Sequence, residues 1–338
     1  MLNARLGQSI VAPLLSVVIP AYNVEEFILP AVTSALSQSF RDLEVIVVDD
    51  GSTDKTPDLV MSLRDIRLKL VRQENLGLAG ARNTGMRVSR GKYVGFLDGD
   101  DLWLPKKADI QIGIMEEDAN IGITYSNSAY IDETGRFTGQ LLISRLREPS
   151  LKDLLKRSHI LPSSAIVRKE CFSQAGMFDE RLRACEDYEM WVRILHRTSF
   201  RARLVSDVLT GYRVRTNSLT MDFDSFTSNA HKAMTMFSEH IPEFTEKLRN
   251  RALGEVYRIA SRKALSEGKM PVARRLMRKS IQYCPSIVVR DLRALGTFSL
   301  VGVGCLLPER WQRIPYWIVR GLMRIFYRCY AGRISILR

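Results

Sequence analysis

Residues 43–52 read LEVIVVDDGS. Val45 to Val48 form an unbroken β-branched run, which stops at Asp49-Asp50-Gly51-Ser52. A strand with one face in water alternates apolar and polar residues, whereas an unbroken run marks a strand covered on both faces. The pattern recurs in LLSVVIPAYN (14–23), LKLVRQE (68–74) and YVGFLDGDD (93–101). Amphipathic, helix-like segments fill the intervals, at about 25–38, 55–65 and 78–89. Strand–helix–strand repetition predicts an α/β fold with a mostly parallel, Rossmann-like sheet and right-handed crossovers.

Each run ends in polar residues: Tyr22-Asn23, Asp49 to Ser52, and Asp98-Gly99-Asp100-Asp101. In open parallel sheets, ligands bind outside the carboxyl ends of the strands. Three loops are therefore expected to converge on one crevice. Short, hard Asp oxygens suit Mg²⁺ or Mn²⁺, which keep waters and bridge to substrate phosphates. The glycine between Asp98 and Asp100 lets the backbone turn and approach a ligand closely. Taken alone, DGD is equally a solvated turn, with Asp101 capping the helix expected after Pro105. Downstream, ACEDYEMWVRIL places Tyr188, Trp191, Val192 and Leu195 on one helical stripe, with Glu186 and Asp187 in its first turn. Trp103 and Trp191 read as core, and Asp132 in YIDETG as a turn.

The net charge of +13 is unevenly placed. Residues 1–230 hold 29 Lys+Arg against 30 Asp+Glu, and residues 231–338 hold 21 against 7. The chain therefore divides into an α/β region, 1–230, and a basic helical region, 231–338. The stretch 259–285 reads as a helical hairpin, and Trp311–Leu337 interleaves Trp, Tyr, Ile and Leu with arginines. That composition suits an amphipathic helix on an anionic membrane surface. A solvated helical surface is the plainer alternative. No recognised nucleic-acid module accompanies the basic charge, so nucleic acid is not an expected partner. Ala294–Pro308 reaches roughly 22 Å as a helix, short of the ~30 Å hydrocarbon core. Five cysteines without CxxC spacing point to a reducing compartment. No apolar leader core is visible at the N-terminus, and the expected location is cytoplasmic, peripheral at the inner face of the cell membrane.

SVVIPAYN, VIVVDDGSTD, ENLGLAGARNTG, GKYVGFLDGDDLW and EDYEMWVRI, in this order, resemble the family 2 glycosyltransferases with a GT-A fold over about residues 14–220. The resemblance implies an inverting, metal-dependent transfer of a sugar from a nucleotide-sugar, a UDP-sugar by family frequency, to an acceptor hydroxyl. The acceptor would be a saccharide or lipid-linked, in cell-envelope polysaccharide or glycolipid synthesis. Pro20 and Tyr22 of PAYN match the nucleotide-base side of the site, and Asp50 the carboxylate that bonds the base. Arg82 matches a cation facing the nucleotide. Asp98 matches the ribose- or metal-side acid and Asp100 the direct metal ligand. Asp187 matches the catalytic base. Where many members carry a histidine after "YR-V", this chain has Arg215. An arginine pairs with phosphate but does not ligate metal as imidazole does, so Arg215, with Arg213, is assigned to the diphosphate. A non-catalytic, membrane-associated nucleotide-sugar-binding protein remains the alternative. A sugar nucleotidyltransferase fits less well, because PAYNVEE lacks the glycine-rich basic phosphate loop. A hydrolase with paired carboxylates fits least.

Overall fold

The computed structural model describes residues 12–215 and 222–287. The Trp311–Leu337 and Ala294–Pro308 segments lie outside them. The described residues fall into two compact units: 12–154 with 158–215, and 222–287 with the short stretch Leu155–Arg157 at the end of α5.

The first unit runs β1 (Leu15–Ala21), α1 (Ile28–Leu36), β2 (Leu43–Asp49), α2 (Thr56–Ser62), β3 (Leu68–Arg72), α3 (Gly77–Val88) and β4 (Tyr93–Phe96). It continues through β5 (Leu102–Trp103), α4 (Lys107–Glu117), β6 (Ile121–Ile131), β7 (Phe137–Leu142) and α5 (Leu151–Lys156). A single 3₁₀ turn (Pro162–Ser164), β8 (Ala165–Arg168), α6 (Glu170–Ala175), α7 (Glu186–Arg197) and β9 (Arg201–Arg213) complete it. One sheet has the order β3-β2-β1-β4-β8-β6-β9-β5, with β7 on β6. Every residue of β1 and β2 is buried, as their unbroken runs require. Ile28, Ala31, Val32, Ala35 and Leu36 of α1 cover one face with Val17, Ile19, Val45 and Val47. Ile46, Val48 and Ala81 form a smaller cluster on the other. Each such buried aliphatic contributes about 1.5–3 kcal/mol.

The sheet is parallel from β3 to β4. Beyond β4 it is mixed: β8 runs antiparallel to β4 and β6, β5 runs antiparallel to β9, and β6 pairs parallel with β9. The expectation of a mostly parallel sheet therefore holds for the first half only. The repeat of strand and helix that forces parallel pairing ends at β4. The carboxyl ends of β1, β2, β4, β6 and β9 and the amino end of β8 all face one edge of the sheet.

In the second unit, α8 (Phe223–His240), α9 (Glu246–Ser266) and α10 (Met270–Tyr283) pack as helices. α9 and α10 form the expected hairpin, turning at Gly268 with φ +70°. Gly254 permits close helix contact: a Cβ there would lie 2.6 Å from Cys284 Cβ. Ser261 and Ser280 hydroxyls donate to carbonyls of the facing helix. α8 begins before residue 231, so this unit starts earlier than the charge shift suggests. No helix among the described residues is long and apolar enough to cross a membrane.

α3 lies close on β1 because Gly85 has no side chain: a Cβ there would sit 2.3 Å from Val18 Cγ1. Gly85→Ala gains about 1 kcal/mol of helix propensity, but overpacking a buried central strand costs about 1–3 kcal/mol. Urea denaturation is expected to show a net loss of stability; a gain would mean that α3 can slide off β1.

Candidate active site

The loops after β1 and β2 are tied to each other. Asn23, in the left-handed region at φ 49°, donates its N–H to Ser52 Oγ at 3.0 Å, and Thr53 N–H returns a bond to Asn23 Oδ1 at 2.9 Å. Val24 N–H donates to Thr56 Oγ1, and Lys55 N–H to Glu25 Oε2. Tyr22 stands out of this pair of loops, half exposed. Pro20 is buried in β1, and its carbonyl oxygen lies 3.1 Å from where a Gly99 Cβ would be. A side chain at residue 99 would push the acidic loop away from β1.

The two acids of DDGS divide their work. Asp49 is fully buried, accepting from Ser52 N–H and Arg72 Nε. Asp50 Oδ1 accepts from Gln73 Nε2 at 2.7 Å and Leu76 N–H at 2.8 Å, and Oδ2 from Gly77 N–H at 2.9 Å. A carboxylate has about four acceptor positions, so one on Oδ2 is left for a further donor.

Asp98 is held at its backbone by Ser163, whose Oγ accepts its N–H at 3.0 Å. Its Oδ1 accepts from Arg82 Nη2 at 2.7 Å. The other terminal nitrogen of Arg82 donates to Glu186 Oε1 at the start of α7. Arg82 is fully buried. Burial opposes its charge, but Asp98, Glu186 and Asp187 outweigh burial and raise its pKa. Arg82 thus bridges the two acidic motifs as a strut beneath the crevice. Glu186 as its partner was not legible beforehand; the sequence marked it only as a first-turn acid.

Asp187 follows Glu186 in the first turn of α7. Its carboxyl is pushed up to about 7, first by burial and then by Glu186, with Arg82 pulling the other way. The preceding residue, Cys185, is left-handed at φ 63°, a strained setting for a side chain with a Cβ. Burial pushes its thiol pKa well up, so it is no nucleophile.

Asp100 and Asp101 complete the cluster. Asp100 Oδ2 lies 2.8 Å from Arg215 Nε. Burial raises the Asp100 pKa; Arg215 opposes this and Asp98 adds to it. Asp101 is buried and does not cap α4, whose N-cap is Lys106. Its Oδ1 accepts Arg213 N–H at 2.8 Å, while Oδ2 is buried without a hydrogen-bond partner. Burial, then Asp100 and Asp98, push its pKa well up. The Arg213 guanidinium binds carbonyls, Nη1 donating to Asp132 O at 2.6 Å and Glu133 O at 2.8 Å and Nε to Asp100 O at 2.5 Å. It clamps the acidic loop to the β6–β7 turn. Asp132 organises that turn, accepting from Thr134 and Arg136 N–H. Trp103 and Trp191 are buried, and Trp103 Nε1 donates to Ser163 O at 2.7 Å, bracing the residue that holds Asp98.

Among the described residues no three His, Cys, Asp or Glu side chains converge to hold a metal unaided. The hard carboxylate oxygens of Asp98 and Asp100 and the mutual repulsion among the three acids nevertheless fit a divalent cation completed by phosphate and water.

A family model for glycosyl transferase family 2 matches residues 16–176. An Escherichia coli protein described as UDP-Glc:alpha-D-GlcNAc-diphosphoundecaprenol beta-1,3-glucosyltransferase WfaP is 34% identical over 210 residues, 61% of this chain and 80% of that protein. The chain belongs to glycosyltransferase family 2. It is a glycosyltransferase. A second such E. coli glucosyltransferase, WfgD, is 30% identical over 61% of this chain and 79% of that protein. The uncharacterised Bacillus subtilis glycosyltransferase EpsJ is 34% identical over 62% and 63%. The fold is GT-A. S. aureus TarS 1-349 superposes with a TM-score of 0.59 at 19% identity, over 96% of this chain and 92% of that one. Mannosyltransferase PcManGT from Pyrobaculum calidifontis, in complex with GDP-Man and Mn²⁺, gives 0.57 at 17% identity, over 96% and 87%.

Arg82→Met would strand Asp98 and Glu186. Breaking a buried ion pair from one side costs about 3–5 kcal/mol, so chemical denaturation should show a loss of that size. A loss under 1 kcal/mol would show that the strut carries little.

Proposed function

We propose that the first 230 residues move a sugar from a nucleotide-sugar, a UDP-sugar first, to a hydroxyl of a lipid-linked acceptor in cell-envelope glycolipid synthesis, with inversion. The supporting observation is the Arg82 strut, which brings the DGD loop and the Glu186-Asp187 pair to one crevice. The two E. coli relatives are described as using UDP-Glc with a diphosphoundecaprenol-linked acceptor. TarS has been crystallised with UDP-GlcNAc.

Asp187 accepts the proton of the acceptor hydroxyl. The freed oxygen bonds to the anomeric carbon while the bond from that carbon to the diphosphate breaks, and the nucleoside diphosphate leaves. Attack from the face opposite the leaving group inverts the centre. A base whose pKa lies near 7 is matched to this task at neutral pH. Pro20 and Tyr22 border the base, and the remaining acceptor position of Asp50 Oδ2 takes a base N–H. Asp98 faces the ribose side. Arg215 carries the diphosphate contact, with Arg213 holding the loop in place. Asp98 and Asp100 would hold Mg²⁺ or Mn²⁺, which would supply charge neutralisation for the leaving diphosphate. The basic region 231–338 serves as the membrane-facing part, holding the enzyme at the inner face of the cell membrane where a lipid-linked acceptor is presented.

Calorimetric titration with UDP, GDP, CDP, ADP and dTDP, each with and without Mn²⁺, tests the donor site. One nucleotide should bind tightly and more tightly with metal. Folded protein that binds none would overturn the reading.

Because Asp187 works deprotonated, turnover should fall about tenfold per pH unit below 7 and level off above it. Its folded pKa lies above the unfolded value, so the folded state binds the extra proton between about 4 and 7 and stability falls as pH rises through that window. Asp187→Asn should therefore abolish turnover while raising the Tm at pH 8. Retained turnover with donor binding intact would remove Asp187 from the mechanism.

A further inference from the structure

Arg215 stands where the family resemblance implies a histidine, and its surroundings give it a definite job. Its Nε lies 2.8 Å from Asp100 Oδ2, yet that nitrogen makes no aligned hydrogen bond. The pair is an ion contact without the directional component that makes arginine–carboxylate forks strong. The guanidinium rests on the Phe27 ring, with Cζ 5.1 Å from the centroid. Arg213 lies on the same ring at 4.9 Å, so two like charges share one aromatic platform. Arg213 is pinned by three carbonyls and the repulsion cannot move it. Arg215 has Asp100 as its one ion-pair partner among the described residues. It is the looser of the two cations, on a side chain only part-buried.

We infer that Arg215 is an internal counter-ion that occupies Asp100 until a nucleotide diphosphate draws it away, so that the divalent cation enters after, or together with, the nucleotide. This rests on the proposed metal and diphosphate roles of the same site and adds an order of binding to them. The chemistry is an exchange of partners. In the nucleotide-free enzyme the Arg215 guanidinium neutralises Asp100 and competes directly with a metal ion for its oxygen. A diphosphate carries more charge than one carboxylate and accepts a guanidinium in two parallel bonds. Once Arg215 turns to the phosphates, the Asp100 oxygen is released, and the phosphates supply the further oxygens that the protein alone does not assemble. Metal and nucleotide then favour each other's binding, through this side chain as well as through the phosphate oxygens, a coupling that must be reciprocal. A neutral histidine at residue 215 would exert no such competition and would itself ligate.

Mn²⁺ binding is read directly by electron paramagnetic resonance, from loss of the free-ion signal, on full-length wild type, Arg215→Ala and Arg215→Gln, each with and without UDP. Wild type without UDP should bind Mn²⁺ weakly, and UDP should tighten it at least tenfold. Both variants should bind Mn²⁺ without UDP at least tenfold more tightly than wild type, and UDP should tighten it by a smaller factor than in wild type, the part that the phosphate oxygens supply. Equal Mn²⁺ affinity of wild type and variants without UDP would overturn the inference while leaving the metal site standing. An unaltered UDP effect in the variants would overturn it equally. No Mn²⁺ binding by any of the three proteins, with or without UDP, would sink the inference and the metal role together, and the calorimetric nucleotide result would stand apart from both.

Discussion

The buried guanidinium of Arg82 is the constraint on which the crevice depends. It reaches from α3 to Asp98 after β4 and to Glu186 at the head of α7, 104 residues further along the chain. A charge taken fully out of water is tolerable only when paired and bonded, so Arg82 compels both carboxylates to stay. Each motif thereby fixes the other. α3 can offer the arginine there because Gly85 lets the helix settle on β1.

The same field sets the character of Asp187. Burial and the Glu186 charge make its carboxyl reluctant to ionise, and Arg82 and the Tyr188 N–H moderate this. A carboxylate held so is costly to the fold and useful as a proton acceptor. The left-handed backbone at Cys185 adds to the cost at the same point. Strain and unfavourable charge collect here because the surrounding core over-determines the geometry.

The sequence carried the parallel half of the sheet clearly. Runs such as Val45–Val48 have one reading, and the polar residues that end them lie where loops must converge. The antiparallel half was less legible, since β6 and β8 are shorter on continuous apolar character and their pairing is set by contacts distant in the chain. Asp98, Asp100 and Asp187 could be picked out because acids at strand ends and helix starts are conspicuous. The roles of Arg82, Arg213 and Glu186 could not be read in the same way. An arginine in a sequence looks alike whether it faces a ligand, spans two acids or binds carbonyls. Only the geometry separates Arg213, with its three carbonyl acceptors, from Arg215 two residues on.

The reversal of β8 has a consequence for how the crevice is framed. In a wholly parallel sheet, every loop at the crevice would follow a strand and lead straight into a covering helix. Here β8 enters antiparallel, so the long segment between β7 and β8 arrives at the crevice and ends at Ser163, directly under Asp98. That segment is tied to β6, β9 and α7 along its length: Tyr125 OH donates to Leu146 O, Leu204 N–H to Arg147 O, and Trp191 Nε1 to Ile160 O. A change at Ile160 or Leu154, which are buried, would therefore be felt at the crevice, through Ser163, while the cross-tied loops after β1 and β2 keep their bonds. The fold thus builds one edge of the crevice from loops that follow parallel strands and the other from a segment that precedes an antiparallel one.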